Sequence, residues 1–152
     1  MDNEKTLDVL NTLIEINNDR IEGYKTANEE TKETDLKMLF SNLMQTSVDC
    51  RKELVAEVTR LGGTPEEGTK ATGKIHRAWM DLKALVTGNE RVSILNSCEY
   101  GEGVAIETYV DALDDNLEDL TAEQQVMLQA HCAALKADKN TVVGLRDMLA
   151  TV

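Results

Sequence analysis

Apolar residues recur at spacings of three and four along four long stretches of this chain, and this period constrains the fold more than any other feature. It matches one face of an α-helix. A single proline and an aromatic content of 3% are also unusual for a sheet protein. The sequence therefore predicts an all-α fold, whose first helix presents Leu7, Leu10, Ile14, Asn17, Ile21, Tyr24 and Asn28 along one face.

Local signals bound the other long helices. The second helix ends at Gly62-Gly63, which is typical of a helix C-cap, and Thr121-Ala-Glu-Gln124 is a capping-box pattern that opens the last helix. The third helix is predicted to present inward Ile94, Leu95, Cys98, Glu102, Ala105, Ile106, Tyr109, Ala112 and Leu113. The last helix is predicted to present inward Met127, His131, Ala134, Leu135, Asp138, Val142, Leu145 and Leu149.

A shorter amphipathic helix is predicted between Gly62 and Asn89. At about 1.5 Å per residue, about 17 residues rise about 26 Å, and the flanking loops can supply the rest of a bundle about 40 Å long. The segment can therefore cross the whole bundle, so that the third long helix runs parallel to the second. Its apolar side is expected to cover a second stripe on the first helix and consists of Ala71, Ile75, Ala78, Trp79, Leu82 and Val86.

Charge and length limit the class of protein. A formal net charge of −12 repels phosphate backbones and anionic lipid, which argues against nucleic-acid and membrane partners. With 152 residues, no linker and no internal repeat strong enough to use, we expect one domain over residues 1–152. The sequence shows neither a leader pattern nor an apolar run near the roughly 20 residues of a membrane span, so we expect a cytoplasmic protein. Three cysteines without a CxxC pair are interpreted as reduced core residues: Cys50, Cys98 and Cys132.

Several polar residues fall on the inward stripes near the middle of their helices. Antiparallel helices of similar length bring their midpoints to one level, so Asn17, Ser47 with Cys50, Glu102 and Asp138 are predicted to form a single polar layer. A desolvated carboxylate such as Glu102 must find a cation, a donor or a proton, because burying it unpaired is too costly. Glu102 is therefore the most informative residue of the sequence.

Two interpretations of this layer stay open. One is a metal site for Fe or Mn built from Glu102, Asp138 and His131, although the Glu-x-x-His pairs of two-metal bundles are missing. The other is a hydrogen-bonded layer of Glu102, Asp138, Asn17 and a nearby Tyr or Ser hydroxyl that sets the helix register, with one acid protonated. Nucleophilic triads, phosphate-binding loops and nucleotide fingerprints are missing, so the sequence predicts no catalytic and no cofactor-binding residue.

Several short motifs carry a family resemblance over essentially the whole chain. They are Ile21-Glu-Gly-Tyr24, Arg60-Leu-Gly-Gly-Thr-Pro65, His76-Arg-Ala-Trp79 with Leu82-Lys83, Gly88, Ile94-Leu95, and Glu99-Tyr-Gly-Glu102 with Tyr109. In these motifs the chain resembles a bacterial family of ferritin-like four-helix-bundle proteins of unknown function. The resemblance implies an up-down-down-up bundle with an additional helix in the crossover between helices two and three. Relatives often carry a histidine late in the last helix, where this chain has Lys139-Asn140, and that departure weakens a metal role.

Three functions are consistent with these patterns. The leading hypothesis is a non-enzymatic helical-bundle protein that forms a homodimer and has a stress-related role by analogy with other ferritin-like proteins. The alternative is a metal-dependent oxidase or iron-handling protein that uses Glu102, Asp138 and His131. A third is a bundle whose polar layer lines a pocket for a small ligand or partner.

Overall fold

Five α-helices account for most of the residues that the structure describes. The computed structural model describes residues 3–69, 74–88 and 90–150. The helices are α1 (Asn3–Glu30), α2 (Thr34–Arg60), α3 (Lys74–Gly88), α4 (Arg91–Asp115) and α5 (Ala122–Ala150), and a 3₁₀ turn, Leu117–Asp119, links α4 to α5. These described residues include no β-strand, so the all-α prediction is confirmed. None of the helices in these ranges has both the length and the apolar character needed to cross a membrane.

The four long helices form two hairpins, α1 with α2 and α4 with α5, which are the most extensive helix contacts of the fold. Residue numbers that rise along one helix fall along its partner, so each hairpin is antiparallel. In the first hairpin, Asn28 donates to the Lys37 carbonyl at one end, and Arg51 donates to Asn18 farther along. The corresponding pairs in the second hairpin are Asn96 with Arg146 and Tyr109 with His131.

The two hairpins meet where α1 contacts α4 and α2 contacts α5. Both contacts are antiparallel, because the hydrogen-bonded partners again run in opposite order along the two helices. The pairs between α1 and α4 are Asn17 with Tyr109 and Arg20 with Glu102, and the pairs between α2 and α5 are Glu53 with His131 and Glu57 with Gln124.

The apolar core is divided into two clusters. One cluster gathers the first half of α1, the second halves of α2 and α4, and the first half of α5, and it includes Leu13, Leu54 and Leu135. The other gathers the opposite ends of these helices with α3, and it includes Phe40 and Val142. Between the two clusters, each long helix contributes polar residues. The predicted polar layer therefore separates two apolar cores.

The glycine pair after α2 ends that helix as the sequence predicts. Gly62 has a φ of 83°, in the left-handed region that favours glycine. The amide of Gly63 donates to the Val58 carbonyl. This is the hydrogen bond from the sixth residue to the first that defines a Schellman motif. A Cβ added to Gly63 would lie 2.6 Å from the Leu7 side chain, so this glycine also allows the loop to approach α1.

The segment between α2 and α4 packs along α1. Residues 64–68 run along α1 and are hydrogen-bonded to Asn11 and Asn18. Ile75 at the start of α3 packs against the first core cluster. This cluster contains the second apolar stripe of α1, which consists of Val9, Leu13 and Ile16. Trp79 lies farther along α1, against Gly23 and Tyr24. Two residues named for this segment by the sequence, Ala71 and Asn89, lie outside the described residues.

The inward face of α5 differs from the prediction. Its buried side is centred on Leu128, Leu135 and Val142, which are one heptad apart. Ala134 lies beside this stripe and is exposed, and Leu145 and Leu149 are 39% and 37% exposed. The prediction is confirmed for His131, Leu135 and Val142, which are buried, and it was wrong for Ala134, Leu145 and Leu149. Ala134 lies one residue away from the buried stripe, and Leu145 and Leu149 lie beyond Val142, the last buried side chain among those described in α5.

Candidate functional site

A fully buried ion pair lies at the centre of the polar layer. The guanidinium of Arg20 on α1 donates from Nε to Glu102 Oε2 at 3.0 Å and from Nη2 to Oε1 at 2.7 Å. The side chains of Arg20 and Glu102 are 1% and 0% exposed. Fork-shaped pairs of this kind are the strongest protein hydrogen bonds to a carboxylate. The sequence left open whether Glu102 finds a cation, a donor or a proton. The structure provides a cation, Arg20, which is also a hydrogen-bond donor.

Three more side chains complete this group, which we call the arginine centre (Arg20, Tyr24, Ser47, Glu102 and Asp138). The Tyr24 hydroxyl donates to Glu102 Oε2 at 2.8 Å, and Arg20 Nη1 donates to the Ser47 hydroxyl on α2. Asp138 Oδ2 on α5 lies 3.8 Å from Arg20 Nη2. The centre thus joins α1, α2, α4 and α5 through one guanidinium.

Burial shapes the titration of this centre. Desolvation raises the pKa of Glu102, and the Arg20 charge and the hydrogen bonds from Arg20 and Tyr24 oppose that shift. Desolvation also raises the pKa of Asp138, against a hydrogen bond from Thr46 and the Arg20 charge. Burial lowers the pKa of Arg20, but the charges around it, Glu102 foremost, outweigh burial and raise it overall. Because arginine keeps its proton in proteins, the centre keeps a fixed positive charge beside Glu102.

A second chain of hydrogen bonds leads from the layer to the surface, and we call it the tyrosine relay (Asn17, Tyr109, His131 and Glu53). Asn17 Nδ2 lies 2.9 Å from the Tyr109 hydroxyl, which lies 3.0 Å from His131 Nδ1. His131 Nε2 lies 3.2 Å from Glu53 Oε2 on α2. The Glu53 side chain is 59% exposed, so the relay begins inside the bundle and ends in solvent.

Donor and acceptor roles along the relay follow from Asn17. Its Nδ2 also donates to the Leu13 carbonyl, which can only accept, so this amide nitrogen faces Tyr109 as well. The Tyr109 oxygen accepts from Asn17, and its own proton then faces two acceptors, His131 Nδ1 at 3.0 Å and the Cys50 sulfur. The imidazole nitrogen is the stronger acceptor of the two. Desolvation lowers the pKa of His131 against the opposing influence of Glu53, which favours the neutral ring. The Glu53 carboxylate beside Nε2 can only accept when it is ionised, so the ring proton is assigned to Nε2.

The arginine centre and the tyrosine relay resemble each other when the two hairpins are compared, with α1 matched to α4 and α2 to α5. Tyr24 follows Asn17 by seven residues on α1, and Tyr109 follows Glu102 by seven on α4. The hydrogen bonds cross between them, from Asn17 to Tyr109 and from Tyr24 to Glu102. Short motifs mark the same correspondence, Ile21-Glu-Gly-Tyr24 on α1 and Ile106-Glu-Thr-Tyr109 on α4. The sequence contained this repeat, but too weakly to be used without the contacts.

Arg20 breaks that correspondence. Thr46 and Glu53 on α2 are seven residues apart, as are His131 and Asp138 on α5. Glu53 contacts His131, and Thr46 contacts Asp138. Arg20 lies three residues after Asn17, whereas the residue three after Glu102 is Ala105. One half of the bundle alone therefore supplies the central cation.

The residues predicted for a metal site are divided between the two groups. Glu102 and Asp138 meet at the arginine centre, and His131 belongs to the tyrosine relay with Glu53. Within the described ranges, no three His, Cys, Asp or Glu side chains come together in a group able to hold a metal ion. The three cysteines are buried and form no disulfide bond. Burial raises the pKa of the Cys50 thiol to about 11.

Sequence reasoning overlooked Arg20, although a signal was present. Arg20 lies three residues after Asn17 and four before Tyr24, which places it on the inward stripe of α1. Arginine is almost never fully buried unless it is paired, so a surface position is the usual interpretation. The inward carboxylate at Glu102 required a counter-charge, and the arginine on the facing stripe could have been matched to it.

The fold and this site define an all-helical protein with a buried charged centre. The chain belongs to a family described as a domain of unknown function (DUF2383), whose profile matches residues 5–115. The expected membership in a family of unknown function is confirmed, and the family description makes no statement about a ferritin-like bundle. The chain has no match among the curated proteins.

Proposed function

We propose that this protein is a non-enzymatic, ferritin-like helical bundle in which a buried arginine takes the place of metal ions. The topology is supported by the pairings of the long helices. Because α1 is antiparallel to both α2 and α4, and α5 is antiparallel to the same two helices, the order is up-down-down-up. The segment containing α3 then forms the crossover between the second and third long helices, as in ferritin-like folds.

The arginine centre carries the proposal. Bundles that bind two metal ions direct carboxylates and histidines from four helices at the metals. In this chain the inward Glu102 instead accepts hydrogen bonds from Arg20 on both of its oxygens and from Tyr24 on one of them. A divalent ion at Glu102 would have to displace a guanidinium of like charge. The residues present do not fit an Fe or Mn pair, and the centre instead links four helices.

Metal titration tests this proposal. Protein purified from its native host should contain no stoichiometric Fe or Mn, and Fe(II) or Mn(II) should leave its melting temperature unchanged, because a ligand stabilises only the state that it binds. Glu102→Ala and Asp138→Asn, the latter at a partly buried side chain, are the control variants. A metal-dependent rise in the melting temperature that either variant abolishes would contradict the metal-free centre and favour the alternative, a metal-dependent oxidase or iron-handling protein.

The proposed role is a cytoplasmic, stress-related one, exercised as a homodimer. Support for self-association comes from large apolar side chains that are exposed on α2 and α5, namely Met38, Val126, Leu145 and Met148. Sedimentation equilibrium should show a dimer at micromolar concentration. A strict monomer would remove the dimer from the proposal and leave the metal-free centre untouched.

A further inference from the structure

We propose that Tyr109 is a site of reversible one-electron oxidation, with His131 as the acceptor of its phenolic proton. This inference goes beyond the proposed function and does not depend on it. It starts from the position of the Tyr109 hydroxyl, which is buried and 3.0 Å from His131 Nδ1. The two rings meet edge to face, with their centroids 5.6 Å apart.

Proton transfer is the chemical requirement for oxidising a tyrosine in such a place. A phenol that loses an electron becomes a strong acid, and a charged radical cation in an apolar interior is costly. A neutral imidazole that already accepts the phenolic hydrogen bond can take the proton as the electron leaves. His131 is such a base, because its Nδ1 faces the hydroxyl and its Nε2 carries a proton toward Glu53.

The reaction balances with a one-electron oxidant of the radical class. Tyr109 gives one electron to the radical, which becomes the corresponding anion, and the phenolic O–H bond breaks as an N–H bond forms at His131 Nδ1. His131 can then release its Nε2 proton to Glu53, which is in contact with solvent. A thiol or another one-electron reductant returns the electron. The Nδ1 proton then moves back to the phenolic oxygen as Glu53 returns a proton to His131 Nε2, which restores the neutral ring.

The other two tyrosines lack this arrangement. Tyr24 is equally buried, but its hydroxyl donates to Glu102, and protonating that carboxylate would leave the Arg20 guanidinium without its counter-ion. Tyr100 is 48% exposed, so a radical there would react with solutes. Tyr109 alone among them joins burial to a base with an outlet to solvent, which favours formation of a neutral radical.

The composition of the chain allows a clean experiment. The sequence has one tryptophan and three tyrosines, so a parent variant carrying Trp79→Phe and Tyr100→Phe retains only Tyr24 and Tyr109 as readily oxidised aromatics. Cys50→Ala is added to this parent variant, because the Cys50 thiol is hydrogen-bonded to the Tyr109 hydroxyl and could return the electron. Azide radicals generated by pulse radiolysis serve as the oxidant, and tyrosyl absorbance and electron paramagnetic resonance are the readouts. Circular dichroism verifies that each variant keeps its helices.

The matched variants are Tyr24→Phe and Tyr109→Phe, each of which removes one buried hydroxyl. The long-lived tyrosyl signal should persist in Tyr24→Phe and disappear in Tyr109→Phe. His131→Gln keeps a hydrogen-bond acceptor but removes the base, and it should slow oxidation of Tyr109 by at least about tenfold, since a positioned base typically contributes about 10²–10⁴-fold. A signal that follows Tyr24, or an oxidation rate unchanged in His131→Gln, would overturn the proposal.

High-field electron paramagnetic resonance supplies a measurement that needs no substitution at Tyr109. The imidazolium formed at His131 donates a hydrogen bond back to the radical oxygen, and this bond shifts the g-tensor of a tyrosyl radical. We expect that shift in the parent variant and its loss in His131→Gln. A radical without the hydrogen-bond signature in the parent would contradict proton transfer to His131.

Discussion

Among single residues, Arg20 and Glu102 depend on each other, because neither charge can be buried at low cost without the other. Taking a charge out of water costs several kcal/mol, and the partner repays this only with good geometry. Arg20 has that geometry toward Glu102 on α4, and it also contacts Ser47 on α2. A pair of this kind contributes more to the alignment of three helices than to net stability.

Removing only the cation should therefore be severe. Arg20→Met leaves Glu102 buried without a counter-charge, and we expect a loss of about 3–5 kcal/mol in the free energy of unfolding. The double variant Arg20→Met with Glu102→Met should recover most of that loss, because an apolar pair of similar volume carries no desolvation cost. Urea denaturation of the parent, both single variants and the double variant measures the coupling. A single variant within about 0.5 kcal/mol of the parent would contradict this account.

His131 should make stability depend on pH in a definite direction. Burial lowers its pKa in the folded state below the usual value of 6.5, so between these two pKa values the unfolded chain binds more protons. The contribution of His131 is then fully present above about pH 6.5 and declines as the pH falls toward the folded pKa, by at most about 1.4 kcal/mol per pH unit.

The variant His131→Gln isolates this effect. Glu102 and Asp138, whose pKa values are raised, remain in both proteins, so their contribution cancels in the difference. The unfolding free energy of the parent minus that of the variant should shrink on going from about pH 7.5 to about pH 5. A difference that stays constant or grows over this range would show that His131 does not titrate as its surroundings require.

At the scale of elements, α3 is held to the bundle by an aromatic side chain in a notch. A Cβ added to Gly23 on α1 would lie 2.2 Å from the Trp79 ring, whereas one added to Gly101 on α4 would lie 3.6 Å from it. The ring also meets Tyr24 edge to face at 4.9 Å between centroids. Neither Gly101 nor Gly103 on α4 is as tightly covered as Gly23.

Two alanine substitutions test this notch. Gly23→Ala should displace Trp79 and cost about 1–3 kcal/mol, because overpacking forces the ring or the helix to move. Gly101→Ala is the matched control, since its Cβ makes an ordinary contact and a helical Gly→Ala change otherwise stabilises by up to about 1 kcal/mol. The fluorescence of the single tryptophan should shift to the red in Gly23→Ala only. Equal spectra and stabilities for the two variants would remove the notch from the explanation of how α3 docks.

At the scale of the whole molecule, the excess of negative charge opposes folding. With 28 acidic against 16 basic residues, repulsion across the surface outweighs attraction, and ions screen it over about 10 Å at 0.1 M salt. The buried ion pair is shielded from solvent and is screened much less.

Salt should consequently stabilise the protein. We expect the melting temperature to rise as NaCl increases from about 0.01 M to about 0.5 M, because the Debye length falls over this range. The same rise should occur in the double variant Arg20→Met with Glu102→Met, which lacks only the buried pair. A melting temperature that falls with salt would mean that surface ion pairs, such as Arg91 with Asp35, outweigh the general repulsion.

Local patterns along the chain predict the helices, the stop at Gly62, the break in the apolar core and the inward position of Glu102, because periodicity and capping are local properties. Three pairings are visible only in the folded protein: Arg20 with Glu102, His131 with Tyr109, and Gly23 with Trp79. Each of these depends on which residues of distant helices face one another. Ala134 and Leu135 are neighbours in sequence, yet one is exposed and the other is buried. Rotating a helix by one residue would therefore change the partner of each inward side chain.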